Sequence, residues 1–65
     1  MFLLLKAIKL DAPILINMDR VDAISPANVN DQDNGGSLIY VSGESQPYLV
    51  KESIWKIRER LNAIR

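Results

Sequence analysis

Only one stretch of this chain repeats with a helical period. Val50, Ile54, Ile57, Leu61 and Ile64 follow one another at spacings of 4, 3, 4 and 3, which aligns them along one face of an α-helix. Ser53 fits an N-cap, Glu52 and Lys56 stand in the favourable i,i+4 order, and Arg58, Arg60 and Arg65 lie toward the negative end of the helix dipole. No proline or glycine interrupts residues 53–64. One short amphipathic helix covers one side of a sheet and no more, so any second apolar face must find its partner elsewhere.

The residues before the helix read as strands separated by turn chemistry. FLLLKAIKL (2–10) is the first, and Asp11-Ala12-Pro13 supplies a turn. ILIN (14–17) follows, ended by Met18-Asp19-Arg20, and VDAIS (21–25) is closed by Pro26. ANVNDQDNGG (27–36) holds one valine among turn formers and reads as a flexible hairpin loop. SLIYVS (37–42) and PYLV (47–50) are two strands joined by Gly43-Glu44-Ser45-Gln46. Pro47 cannot donate to a ladder and belongs at the start of its strand or on an edge. The expected fold is α+β: a small antiparallel meander of five short strands over residues 2–50, then the helix, in one domain spanning 1–65.

Alternation assigns the strand residues to two faces. Phe2, Leu4, Ile8, Ile14, Ile16, Ile39, Val41, Tyr48 and Val50 are placed on the first, with Val21 and Ile24 added from the third strand. Leu3, Leu5, Ala7, Leu15, Leu38, Tyr40 and Leu49 are placed on the second. Both sets are apolar, and the helix stripe is expected to cover the first. The second set would then match or exceed the few hundred Å² of apolar patch that a soluble monomer normally shows. Its partner is expected to be another copy of the chain, as a dimer or larger closed assembly, with Leu3, Leu5, Leu15, Leu38, Tyr40, Leu49 and the neighbouring Trp55 at the interface.

Size points the same way. A chain of 65 residues stands near the lower limit at which one core holds a fold without staples. It has neither cysteine nor histidine, so no disulfide and no Cys/His zinc site can staple it, and association is the remaining support. The N-terminal run FLLL is shorter than the ~7–15 apolar residues of a signal peptide, and nothing approaches the ~18 of a membrane helix. The expectation is a cytoplasmic protein with no membrane insertion.

Catalysis and metal binding find little purchase. Nucleophilic catalysis needs a base beside the nucleophile, and Ser42, Ser45 and Ser53 are better explained as turn and cap residues. Asp31 and Asp33 begin like a calcium loop, but Gly35 and Ser42 stand where that pattern wants an oxygen ligand and a glutamate. No enzyme activity, cofactor or metal is expected.

Charge leaves a runner-up. Eight basic residues balance eight acidic ones, so no overall field attracts nucleic acid. The balance is uneven: residues 1–49 carry three basic and six acidic side chains, and residues 50–65 carry five and two. Lys56, Arg58, Arg60 and Arg65 could contact phosphates, with Trp55 stacking on a base. Against this, Glu52 and Glu59 interrupt the basic surface, and the apolar stripe commits one side of the helix to packing. A small nucleic-acid-binding regulator is therefore the alternative to a non-enzymatic interaction or scaffold module. Docking of an unidentified protein on the 27–36 loop is a third reading.

The order ILINMDRVDAISP, then SLIYVSG, then VKES leading into an amphipathic helix resembles the small FlbD-like proteins. That family is named for members encoded in bacterial flagellar operons, and its short relatives occur widely among bacterial and phage proteins of unknown role. The resemblance spans nearly the whole chain and implies a small β-rich fold with a terminal helix and no catalytic residues. The chain departs from the family's pattern in FLLL, which fills both sides of the first strand, and in its long 27–36 loop. A weaker similarity runs to the last part of LytTR-type DNA-binding domains, where a strand also enters a helix after a serine.

Overall fold

The computed structural model describes residues 1–64. The elements are β1 (Phe2–Ala7), β2 (Ala12–Asn17), a 3-10 turn η1 (Met18–Arg20), β3 (Val21–Pro26), β4 (Ser37–Val41), β5 (Tyr48–Val50) and α1 (Ile54–Ile64). Five antiparallel strands in one sheet and a single C-terminal helix form the α+β fold that the two periodicities predict.

The strand order is β2-β1-β5-β4-β3. Its two edge strands, β2 and β3, are consecutive in the chain and joined only by η1. In a flat sheet they would stand four strand spacings apart, ~19 Å. The four Cα steps from Asn17 to Val21 span ~14 Å at full extension and ~8 Å in 3-10 form. The sheet must therefore curl until its edges approach, giving an incomplete barrel.

Hydrogen bonds hold the curl at η1. The Met18 N–H donates to the Met1 carbonyl at 2.8 Å, and the Ser42 N–H donates to the Arg20 carbonyl at 2.8 Å. Arg20 Nη2 returns a bond to the Ser42 carbonyl at 3.0 Å. The turn thus occupies a strand's place between the start of β1 and the end of β4. Asn17 caps it, its Oδ1 accepting from the Asp19 N–H at 3.1 Å, and the N-terminal ammonium lies 2.7 Å from Asp19.

The first strand is shorter than expected. It ends at Ala7, and residues 8–11 make the turn, with the Asp11 N–H bonded to the Ile8 carbonyl and Asp11 in the left-handed region at φ 47°. Aspartate tolerates that region better than most side chains. Ala12 and Pro13, expected in the turn, belong to β2. A four-residue turn pairs odd positions of β1 with even positions of β2, as Leu3 with Ile16 and Leu5 with Ile14, and even with odd, as Leu4 with Leu15.

That register corrects the face assignment. Leu3, Leu5 and Ala7 lie inside with Ile16, Ile39, Val50 and Ile57, whereas Phe2 and Leu4 are 62% and 51% exposed. Lys6, in the column of Phe2 and Leu4, has its ammonium in solvent beside Asp11. β2 and β4 follow the expected parity, whereas Tyr48 and Ile8, expected on the covered face, are exposed, Tyr48 at the start of β5 and Ile8 in the turn after β1. In β3 a register shift between Val21 and Ala23 lets both Val21 and Ile24 pack against the core.

The 27–36 loop is well bonded. Asn28 Oδ1 accepts from the Asn30 N–H, Asp31 Oδ1 accepts from the Asn34 N–H, and the Gly35 N–H reaches the Asp31 carbonyl. These are the side-chain and backbone turns that asparagine and aspartate favour. The loop ends where Gly36 passes close to β5, and a Cβ there would meet the Val50 carbonyl oxygen at 2.1 Å. Next to it Ser37, fully buried, donates from Oγ to the Glu52 carbonyl at 2.7 Å.

Gly36→Ala is expected to destabilise the fold by about 1–3 kcal/mol, because backbone must move to admit the methyl. A lower urea midpoint at unchanged slope checks this, and an unchanged midpoint would remove the close approach.

Candidate interaction surface

The outer wall of the sheet is apolar, with a membership different from that expected. Leu3 and Leu5 belong to the core and cannot form an interface. Leu15 and Tyr40 are on the surface, 65% and 41% exposed, and Leu38 and Leu49 are half-buried beside each other. Phe2 and Leu4 take the place of the two core leucines, with Leu4 directly opposite Leu15. Parity alone missed them. Lys6 was the signal that could have found them, since a lysine two positions on assigns that column to solvent.

The helix starts as its sequence specifies. Ser53 Oγ accepts from the Lys56 N–H at 3.1 Å, and the Ile57 N–H bonds the Ser53 carbonyl at 3.0 Å. Of the apolar stripe, Ile57 is buried, Ile54 and Leu61 are half-buried, and Ile64 is exposed. Trp55 is 46% exposed and borders a groove of about 290 Å³ with Ile24, Ile57, Arg58 and Leu61.

The basic residues divide. Arg60 donates from Nη1 to the Leu4 carbonyl, and its neighbour across the helix start, Glu52, accepts the Lys6 N–H at 3.1 and 3.2 Å through its two oxygens. β5 is only three residues long and pairs with β1 at Ala7 and Val50 alone. Glu52 and Arg60 therefore stand in for the missing strand, satisfying the backbone of β1 beyond its end. No sequence pattern announces that duty, which depends on where the helix comes to rest. Lys56 and Arg58 remain exposed, and Arg65 lies outside the described residues.

A second cleft, of about 440 Å³, follows β2. Its walls include Phe2, the four consecutive residues Ile14–Asn17, Arg20, Val41 and Tyr48. Four consecutive strand residues line it, so the free edge of β2 borders it as well as a face. Two of its polar side chains have partners: Asn17 Oδ1 holds the Asp19 N–H and Arg20 Nη2 holds the Ser42 carbonyl. Among the described residues no group of three or more Asp or Glu side chains is placed to hold a metal ion, and no helix is long and apolar enough to cross a membrane.

Arg60→Ala is expected to cost about 1 kcal/mol, the worth of one partly exposed hydrogen bond. Lys56→Ala and Arg58→Ala should stay within about 0.5 kcal/mol. Denaturant unfolding of the three variants checks the division, and equal effects would contradict it. Compared with protein-family models, curated proteins and solved structures, the chain finds no match.

Proposed function

We propose that this chain is a non-enzymatic interaction or scaffold module that acts in the cytoplasm as a homo-oligomer. The observation that carries the reading is the outer wall of the sheet, where Leu4 and Leu15 face each other at 51% and 65% exposure with Phe2 beside them at 62%. Scattered apolar residues on a surface are ordinary, but contiguous ones mark an interaction site. The small core supports the same reading, since a domain of this size gains much from a partner that binds only the folded state. The resemblance to FlbD-like proteins, which brings no catalytic residues, agrees with it.

Nucleic-acid binding is weaker as a reading. Arg60 is engaged with the Leu4 carbonyl, and the cluster of Lys56 with Lys6 and Lys51 is interspersed with Asp33 and Glu52. The remaining cationic face is too interrupted to release many counterions from a duplex.

Sedimentation equilibrium from about micromolar to millimolar protein tests the proposal, the upper end corresponding to a Kd of ~1 mM. A dimer or larger closed assembly is expected, and a folded monomer throughout would overturn it. Two neighbouring substitutions sharpen the result. Leu4→Asp should leave a folded chain that dissociates more readily, whereas Leu5→Asp, at a site 1% exposed, should abolish folding by burying an unpaired charge.

A further inference from the structure

Resting on that reading, we propose that the partner is a second copy docked along the free edge of β2, antiparallel to its own β2 and related to it by a two-fold axis at Leu15. The backbone of β1 sets which groups that edge presents. Lys6 uses its N–H on Glu52 and its carbonyl on the Lys51 N–H, at 2.9 Å, so both point toward β5. Lys6 and its opposite residue Pro13 therefore form a non-hydrogen-bonded pair in the β1–β2 ladder. By alternation Pro13, Leu15 and Asn17 direct their backbone groups away from β1, to the open side. Pro13, which has no N–H, sits where β1 needs no donor.

An antiparallel copy centred on Leu15 matches that edge to itself. The two Leu15 residues exchange a pair of hydrogen bonds, and each Asn17 N–H meets the partner strand's Pro13 carbonyl, which needs only to accept. Asp11 precedes β2 and Arg20 follows it, so the pairing brings each Arg20 toward the other copy's Asp11, which in its own chain lies 3.6 Å from Lys6 and 3.9 Å from Lys51. Asp19, which shares that end, is already beside the N-terminal ammonium.

Side chains supply the area. Met1, Phe2, Leu4, Leu15 and Tyr48 are 38–65% exposed and lie in or beside the cleft along β2 or on the wall above it. Taking ~150–250 Å² for a fully exposed large side chain, complete burial of the five would remove roughly 500 Å² per copy, so two copies reach the ~1,000 Å² at which a specific interface begins when the wall is covered together with the edge. Knob and hollow lie on one patch, Phe2 and Leu15 beside Ile14, Ile16 and Val41, as a two-fold contact requires. A small ligand fits less well, because Asn17 Oδ1 and Arg20 Nη2 are engaged within the chain and the polar groups left open are the backbone edge of β2, which suits another strand.

The chain contains no cysteine, so single introduced cysteines report contacts without background. Opposed residues of an antiparallel hydrogen-bonded pair have Cα atoms ~5.5 Å apart, within disulfide range. Leu15→Cys is expected to oxidise to a covalent dimer in non-reducing electrophoresis, and Trp55→Cys is not. Leu15→Asp, with folding confirmed by circular dichroism, should weaken the dimer by about 30-fold or more, the effect of losing one interface hot spot. Should Leu15→Asp fail to fold, the cysteine pair still decides. A wild-type dimer in which Trp55→Cys cross-links and Leu15→Cys does not overturns the β2 edge and leaves the homo-oligomer reading standing. A wild-type monomer up to millimolar overturns both.

Discussion

The three residues Met18–Arg20 govern this fold. They join the two edges of a five-stranded sheet, and a link so short compels the sheet to close on itself. Closure creates an inside, and the inside needs few residues to fill it: Leu3, Leu5, Ile16, Ile39, Val50 and the helix's Ile57 make the buried cluster. A chain without disulfide or metal thereby builds a core from strands of three to six residues.

Closure leaves two incomplete places, which are met differently. β5 is too short to pair with all of β1, and Glu52 and Arg60 complete that side with side-chain hydrogen bonds. This couples the helix to the sheet through polar contacts as well as through Ile57. The free edge of β2 has no such cover among the described residues, and large apolar side chains cluster beside it. The same curvature that buries one column of β1 turns the other, Phe2 and Leu4, outward next to that edge. Core and interaction surface are thus two consequences of a single register.

Much of the architecture is legible in the residues. The 4, 3, 4, 3 stripe locates the helix, Ser53 marks its cap, and turn formers bound every strand within a few positions. The β1 register is where parity reasoning goes astray. FLLL is apolar on both sides and so carries no alternation of its own, and the register depends on whether the following turn has three residues or four. Lys6 resolves it, because inward placement would bury its ammonium. The curl of the sheet rests on the pairing of β1 with β5, a long-range contact that no local pattern encodes. Arg60 shows the same limit: by type and position it is a phosphate ligand as plausible as Arg58, and only the packed helix gives it the Leu4 carbonyl.

The most direct test of this account is the set of methyl–methyl nuclear Overhauser contacts in the intact protein, read without altering any residue. With Leu3 and Leu5 inside the closed sheet, their methyls should show cross-peaks to Ile39, Val50 and Ile57, while Leu4 methyls should reach Leu15 and none of those three. Cross-peaks from Leu4 to Ile39 or Ile57, with Leu5 silent toward them, would invert β1 and contradict the account at its root.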